Sequence, residues 1–213
     1  NKIRRYCHLG TGNYNDRTAQ IYEDFGLFTC HPRFGEDLTN LFNLLTGYSA
    51  PPKFHRIKIA PTELREYFVT KIRREIANAR EGKPALIIAK MNAIVDKQII
   101  LELYRASQAG VTIKCIVRGI CCLKAGVKGL SENIEVISIV DRFLEHARIF
   151  YFLNNGEPEY FLASADWMPR NLDRRVEIAF PILDPWLQVQ LQEILDVQLA
   201  DTVKARELLA DGH

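Results

Sequence analysis

One histidine of this chain stands in a setting that suits phosphate chemistry. Arg148 follows His146 by two residues, and in an extended strand residues i and i+2 point to the same face. An imidazole beside a guanidinium can act on a phosphate as nucleophile, general acid or hydrogen-bond donor, and the planar fork of arginine matches phosphate oxygens. The pair therefore predicts a site for a phosphate-containing ligand, with His146 as its catalytic residue and Arg148 in support.

A polar segment downstream adds groups of the same kind. Ser164 and its neighbouring backbone amides can donate hydrogen bonds to phosphate, and Arg170, Arg174 and Arg175 cluster a few residues later. Glu177 can orient a histidine through the second ring nitrogen. A lone histidine is more often a structural residue of a strand, but the arginine at i+2 and this segment favour a functional one.

The segment around Ser164 is repeated near the N-terminus at an offset of 153 residues. The offset superposes Thr11 on Ser164, Asn13 on Asp166, Tyr14 on Trp167, Arg17 on Arg170, Tyr22 on Arg175 and Asp24 on Glu177. Asp24 is thus a second carboxylate that can orient a histidine. The second copy has its His-x-Arg 18 residues before the serine, whereas the same step back from Thr11 falls before residue 1. We therefore expect two similar units, the first present only as a remnant.

The other histidines lack such neighbours. His8 falls on Phe161 in the repeat, a strand position just before the turn, so we expect it to be structural. His31 and His55 are expected at the surface or in turns.

Hydrophobic periodicity predicts the elements that must position these residues. Strands are expected over 3–9, 85–89, 111–117, 134–140, 147–152, 160–163 and 176–182, and helices over 36–45, 63–80, 95–109 and 185–203. Their alternation predicts an α/β sandwich with a mixed, largely parallel sheet. Asn92, Arg118 and the Ser164 turn follow strands, where such sheets bind ligands. A Pro-rich break at 48–52 predicts two domains, 1–52 and 53–213.

Composition limits the class of protein. The 213 residues carry a net charge of only +2, which does not suggest a nucleic-acid-binding polycation. The five cysteines have no metal-ligand spacing, and no apolar run reaches the length of a membrane span. We expect a cytoplasmic protein with reduced cysteines and no metal site of its own, and leave association with a membrane surface open.

At these residues the chain resembles the bacterial polyphosphate kinase family, whose members reversibly transfer the terminal phosphate of ATP to inorganic polyphosphate. The resemblance is carried by HLGTGNYN at 8–15, DFGL at 24–27, LFNLLTGY at 41–48, VRG at 117–119, SIVDRFLEH at 138–146 and SADWMPRNLDRR at 164–175. It implies a phospholipase D-like α/β fold for both units: one complete unit in 53–213, and in 1–52 the C-terminal remnant of a preceding similar unit.

The resemblance also implies roles for individual residues. Tyr22 and Arg118 match the family's ATP-binding tyrosine and arginine, His146 matches its second active-site histidine, and Arg175 is implied in phosphate contact. The family's phosphorylated histidine belongs to a His-Ala-Lys motif that this chain lacks, so we expect it upstream of residue 1. The arginines that the family uses for Mg²⁺ are expected there as well.

The resemblance further predicts the partners. These are ATP, ADP and polyphosphate, with no nucleic acid, and the full-length enzyme is expected to be a homo-oligomer. The chain alone is expected to be inactive, because it lacks the nucleophile.

Two other functions remain open. A phosphodiesterase of the phospholipase D type pairs two His-x-Lys motifs, whereas the visible copy here has Arg148 at i+2 and Asp166 where an asparagine is usual. The third alternative is a non-catalytic module that binds polyphosphate or a partner protein.

Overall fold

The computed structural model describes residues 3–47 and 53–212, so the break predicted at 48–52 lies outside the described residues. The helices are α1 (Pro32–Leu45), α2 (Leu64–Arg80), α3 (Lys97–Gln108), α4 (Pro169–Arg174) and α5 (Pro185–Leu199). The strands are β1 (Cys7–Gly10), β2 (Tyr22–Glu23), β3 (Gly26–Thr29), β4 (Lys58–Ala60), β5 (Leu86–Met91), β6 (Thr112–Val117), β7 (Ile134–Ser138), β8 (Leu144–Glu145), β9 (Arg148–Phe152), β10 (Glu159–Ala163), β11 (Glu177–Pro181) and β12 (Arg206–Glu207).

Eight strands form one mixed sheet in the order β12-β7-β6-β5-β9-β10-β11-β4. Within this sheet only β5, β6 and β7 pair in parallel, so the expected mixed sheet is confirmed but the expectation that it is largely parallel was wrong. The physical reason is the length of the connections. A helical crossover through α3 joins the parallel strands β5 and β6, whereas β9, β10 and β11 follow one another closely and pair as antiparallel neighbours.

The sheet separates two hydrophobic cores. Alternation along β5 sends Ile87 and Ala89 to the face covered by α2 and α3, and Ile88 to the other face. That second core includes Leu9 and Leu41 from the N-terminal segment together with Leu191 and other residues of the C-terminal one. The predicted α/β sandwich is therefore confirmed, and the two segments share a core.

The sequence repeat is also a structural repeat. Strands β1 and β3 pair antiparallel with Leu9 opposite Leu27 and Gly10 opposite Gly26. Adding 153 gives Leu162 opposite Phe180 and Ala163 opposite Ala179, which are pairs of β10 and β11. The same offset carries α1 onto 185–198, within α5. Both copies thus use one hairpin register followed by one helix.

Local contacts explain where helix ends depart from prediction. Helix α1 begins at Pro32 instead of residue 36 because the ring Nδ1 of His31 accepts a hydrogen bond from the amide of Arg33 at 3.2 Å. Helix α5 begins at Pro185, capped by Asp184, and ends at Leu199. No helix of the described residues has the length and apolarity needed to cross a bilayer.

Candidate functional site

A cleft of about 510 Å³ opens where β5, β6 and β10 end. The predicted site residues that line it are Tyr22, Arg118, His146, Arg148, Ser164, Arg175 and Glu177. Asp24 lies behind His146. The fold therefore brings together groups that are up to 155 residues apart in the chain, and it draws them from both copies of the repeat.

His146 is oriented by a carboxylate of the other copy. Its Nδ1 lies 2.9 Å from Oδ2 and 3.0 Å from Oδ1 of Asp24. Because an ionised carboxylate only accepts hydrogen bonds, Nδ1 carries a proton, which in the neutral form of the ring leaves the lone pair on Nε2. The ring of Tyr22 packs against the imidazole at 4.6 Å between centroids. The histidine is thus held in one tautomer at the cleft.

Asp24 is held in its ionised form. Burial acts to raise the pKa of this carboxyl, but hydrogen bonds from His146 and Thr11 outweigh it and hold the pKa below the usual value. The Thr11 hydroxyl donates to Oδ1 at 2.7 Å and accepts from the amide of Phe25 at 3.0 Å. Thr11 drew attention only as the repeat equivalent of Ser164, and its bond to Asp24 gives it a definite part in the site.

The second copy repeats this hydroxyl–carboxylate pair. Ser164 donates a hydrogen bond to Glu177 and accepts one from the amide of Ile178 at 3.1 Å. Asn171 also donates to Glu177. Among the described residues no histidine bonds to Glu177, so its role as the partner of a histidine stays a prediction. The Ser164 hydroxyl proton points to Glu177 in this arrangement, and not into the cleft.

The guanidinium of Arg148 forms a bidentate pair with the carboxylate of Asp166. Its Nε and Nη2 donate to the two carboxylate oxygens at 3.1 and 2.9 Å, and both side chains are buried. Burial acts to raise the pKa of Asp166, but Arg148 and Asn92 together lower it. Arg148 Nη1 donates to the Thr11 carbonyl at 3.0 Å and lies 3.1 Å from His146 Nε2. The guanidinium therefore faces the imidazole through one nitrogen only.

Asn92 connects Arg118, which follows β6, with the segment of His146. Its Oδ1 accepts from Nε and Nη2 of Arg118 at 3.0 and 2.9 Å. Its Nδ2 donates to the carbonyl of His146 and to Asp166, each at 3.1 Å. These two bonds fix the orientation of the Arg118 guanidinium, and its Nη1 stays available to a ligand. The sequence predicts Asn92 at the end of a strand but does not predict these bonds, which depend on tertiary packing.

The remaining cations line the cleft from α4 and its C-terminal end. Arg170 is exposed, and Nη1 of Arg175 lies 3.9 Å from Glu177. Arg65 on α2 fixes this short helix by a bidentate pair with Asp173 and also bonds to Asp96 at the start of α3. A helix of one and a half turns is therefore tied to two longer ones.

The described residues do not fit a dedicated Mg²⁺ site. They contain no group of three or more His, Cys, Asp or Glu side chains that could hold a metal ion. The carboxylates of Asp24, Asp166 and Glu177 are each bound to neighbouring side chains. The prediction that Mg²⁺ ligands lie outside this chain stays a prediction.

Two sequence families match consecutive parts of the chain. Residues 1–51 match "Polyphosphate kinase C-terminal domain 1" and residues 57–213 match "Polyphosphate kinase C-terminal domain 2". The chain belongs to the polyphosphate kinase family. A polyphosphate kinase of Thermosynechococcus vestitus is 57% identical over 211 residues, and one of Synechocystis is 56% identical over 210 residues. The chain is covered to 99% in both cases but spans only 29% of each relative's length.

One solved structure agrees with this family, and two others share the fold. The polyphosphate kinase of Porphyromonas gingivalis matches 98% of the chain with a TM-score of 0.94 at 44% identity, and 32% of that protein is covered. NucT from Helicobacter pylori covers 70% of the chain with a TM-score of 0.51 at 12% identity. Nuc from Salmonella typhimurium, a phospholipase D family member, covers 72% with a TM-score of 0.50 at 13% identity. The predicted phospholipase D-like fold is therefore confirmed.

Proposed function

We propose that this chain supplies the nucleotide and polyphosphate site of a polyphosphate kinase, an enzyme that reversibly transfers the terminal phosphate of ATP to polyphosphate. The observation that carries the proposal is the cleft that the oriented His146 lines together with Arg118 and Arg175. An imidazole in a fixed tautomer that shares a cleft with two guanidinium groups suits a phosphate chain, whose charge is spread over many oxygens.

Each side chain has a distinct role in this proposal. Arg118 grips nucleotide phosphates with the nitrogen that Asn92 leaves available, and Tyr22 packs beside His146 to bind the nucleotide. Arg175 contacts phosphate from the opposite wall. His146 donates or accepts a proton at Nε2, where charge develops on the transferred group. Arg148, Ser164, Asp24 and Glu177 support these groups from behind.

The phosphorylated nucleophile is proposed to lie outside this chain. A histidine ring nitrogen of the full enzyme attacks the γ-phosphorus of ATP, the bond to the bridging oxygen breaks, and ADP leaves with that electron pair. A terminal oxygen of polyphosphate then attacks the phosphohistidine and releases the ring nitrogen. Glu177, with its Ser164 bond, is the carboxylate that corresponds to Asp24 and is available to orient such a histidine. No step is assigned to Mg²⁺, since the residues present do not form a site for it.

The test uses the full-length protein that contains this chain. We expect it to form ATP from ADP and polyphosphate, as measured by luciferase luminescence, and not to hydrolyse bis(p-nitrophenyl) phosphate. Phosphodiester hydrolysis without ATP formation would favour the phospholipase D-type phosphodiesterase. Binding of polyphosphate with neither reaction would identify a non-catalytic binding module.

A further inference from the structure

Lys90 is a buried charge that the proposed reaction does not use. It lies in the middle of the sheet on β5, and its side chain is 2% exposed. It points to the same face as Ile88, towards the core shared by the two segments. An ammonium group in such surroundings is costly unless it is paired and hydrogen-bonded, so its partners decide what it does.

The partners of Lys90 are the two residues that flank His146. Its Nζ donates to the carbonyl of Ala147 at 3.1 Å and lies 3.3 Å from Oε2 of Glu145. Glu145 is fixed in turn by Gln198 of α5, whose Nε2 donates to it at 2.7 Å. One ammonium therefore holds the backbone after the histidine and the side chain before it.

The side chain of the residue that follows β5 completes the contact. Asn92, two residues after Lys90, donates to the carbonyl of His146 itself. On the other side of the segment, the amides of His146 and Ala147 both donate to the carbonyl of Glu23, at 3.1 and 2.9 Å. The histidine thus sits on a short edge segment that the central strand of the large sheet holds in place.

We propose that Lys90 is a positioning residue for His146. It fixes the segment 145–147 against β5, so that the imidazole meets Asp24 on one side and the phosphate on the other. The proposal rests on the function proposed above, because it concerns the histidine of that site. Misplacing a reacting group by about 1 Å can cost on the order of 100-fold in rate, so a contact that touches no substrate can still govern turnover.

The first experiment replaces Lys90 by methionine in the full-length enzyme. Methionine fills a similar volume but donates no hydrogen bond. We expect kcat for ATP formation to fall about 10- to 100-fold, with KM for ADP nearly unchanged because Lys90 does not touch Arg118 or Tyr22. Ile88→Val is the matched control, since it alters the same face of the same strand without touching the histidine segment, and it should keep kcat. An unchanged kcat in Lys90→Met, or an equal loss in the control, would overturn the proposal.

The second experiment needs no substrate. In ¹⁵N NMR spectra of the 213-residue chain, the ring of His146 should show one tautomer with the proton on Nδ1, its signals assigned by comparison with His146→Gln. Lys90→Met should give a mixture of tautomers or broadened signals, and Ile88→Val should not. A single unchanged tautomer in Lys90→Met would contradict the proposal.

Failure of the two proposals can be told apart. If the unmodified full-length enzyme forms no ATP, the proposed function fails, whereas the NMR comparison still reports on Lys90. If Lys90→Met does not fold, Glu145→Gln takes its place, because it weakens one partner of the ammonium and leaves the core intact. A smaller loss of kcat with a disturbed His146 ring then supports the role of Lys90, and no change in either measurement rejects it.

Discussion

The proposed binding of phosphate in the cleft depends on single side chains, and His146 is the first of them. His146→Ala in the full-length enzyme should abolish or nearly abolish turnover, because no other imidazole of the described residues lines the cleft. His55→Ala is the matched control. His55 is partly exposed near Arg33 and Glu36, and its loss should leave activity near that of the unchanged enzyme. Steady-state rates of ATP formation make the comparison, and equal activity of the two variants would mean that the site is misassigned.

Arg118 tests whether the shape of a cation matters as well as its charge. Arg118→Lys keeps the charge but loses the fork that bonds to Asn92 and can bond to phosphate at the same time. We expect a loss of about 1.5–3 kcal/mol in nucleotide binding, which is roughly one to two decades in affinity or kcat/KM. Thermal stability should change little, since the residue follows the end of a strand.

Isothermal titration with ATP and ADP measures that loss. Arg105→Lys on α3, whose partner is Glu102, is the control and should bind nucleotide normally. Unaltered titrations for Arg118→Lys would remove this residue from the site, and unfolding of the variant would assign it a structural role.

Asp166 links the cleft to the stability of the fold. Its pKa is held low in the folded state, so its charge stabilises the protein fully above the unfolded pKa of about 3.9. That stabilisation is lost as pH falls towards the lower folded value. Asp166→Asn leaves Arg148 buried without its charge partner and should cost about 3–5 kcal/mol at pH 7.

Urea unfolding between pH 7 and pH 3 tests this dependence on pH. The difference in free energy of unfolding between the unchanged protein and Asp166→Asn should become smaller as the pH falls below about 4. Asp141→Asn removes a carboxylate of an exposed pair with Lys204 and should have little effect at any pH. If the difference in free energy of unfolding between Asp166→Asn and the unchanged protein stays constant from pH 7 to pH 3, the carboxylate charge is not what stabilises the fold.

At the scale of elements, the turn after β1 brings the two copies together. A Cβ at Gly12 would overlap the carboxylate of Asp24, whereas a Cβ at Gly10 would meet its nearest atom, the Phe25 carbonyl oxygen, at an ordinary 3.5 Å. Gly12→Ala should therefore displace Asp24 from His146. We expect a folded protein with a melting temperature near that of the parent but a severe loss of turnover.

Gly10→Ala, at the last residue of β1 and two residues before Gly12, serves as the control and should stay active. The comparison needs only melting curves and rates of ATP formation for both variants. Equal activity of the two would show that the Asp24–His146 pair tolerates displacement.

Much at this scale could be predicted from the sequence. Periodicity found α2, α3 and the core strands, and the repeat predicted an equivalence that extends to hairpin register. Hydrophobic periodicity did not predict α4, because six residues are too few to show a helical period. This helix is held in place by Arg65 from α2. Nor did periodicity predict the bonds of Asn92, which join strands far apart in the chain. The share of parallel pairing in the large sheet was overestimated, because a run of apolar residues does not indicate the direction of its strand.

At the scale of the whole molecule, the chain spans 29% of the length of the polyphosphate kinases of Thermosynechococcus vestitus and Synechocystis. We expect the 213-residue chain to bind polyphosphate or nucleotide without steady kinase turnover. A covalent mechanism loses orders of magnitude in rate without its nucleophile. Sustained ATP formation by the purified chain, with no added protein, would refute the proposed placement of the phosphohistidine. His146→Ala of the same chain is the control for contaminating kinase.

The bond between Asp24 and His146 joins one copy of the repeat to the other. If the two copies were separate identical chains around a two-fold axis, every substitution would occur at both ends of the cleft. In one continuous chain the ends are free to differ, and here they do. An aromatic ring at position 22 stands where the other copy has the cation of Arg175, and the amide of Asn13 stands where the other has the carboxylate of Asp166. Duplication within a single chain has therefore given the two ends of the cleft different side chains, as the proposed reaction between two unlike phosphate compounds would require.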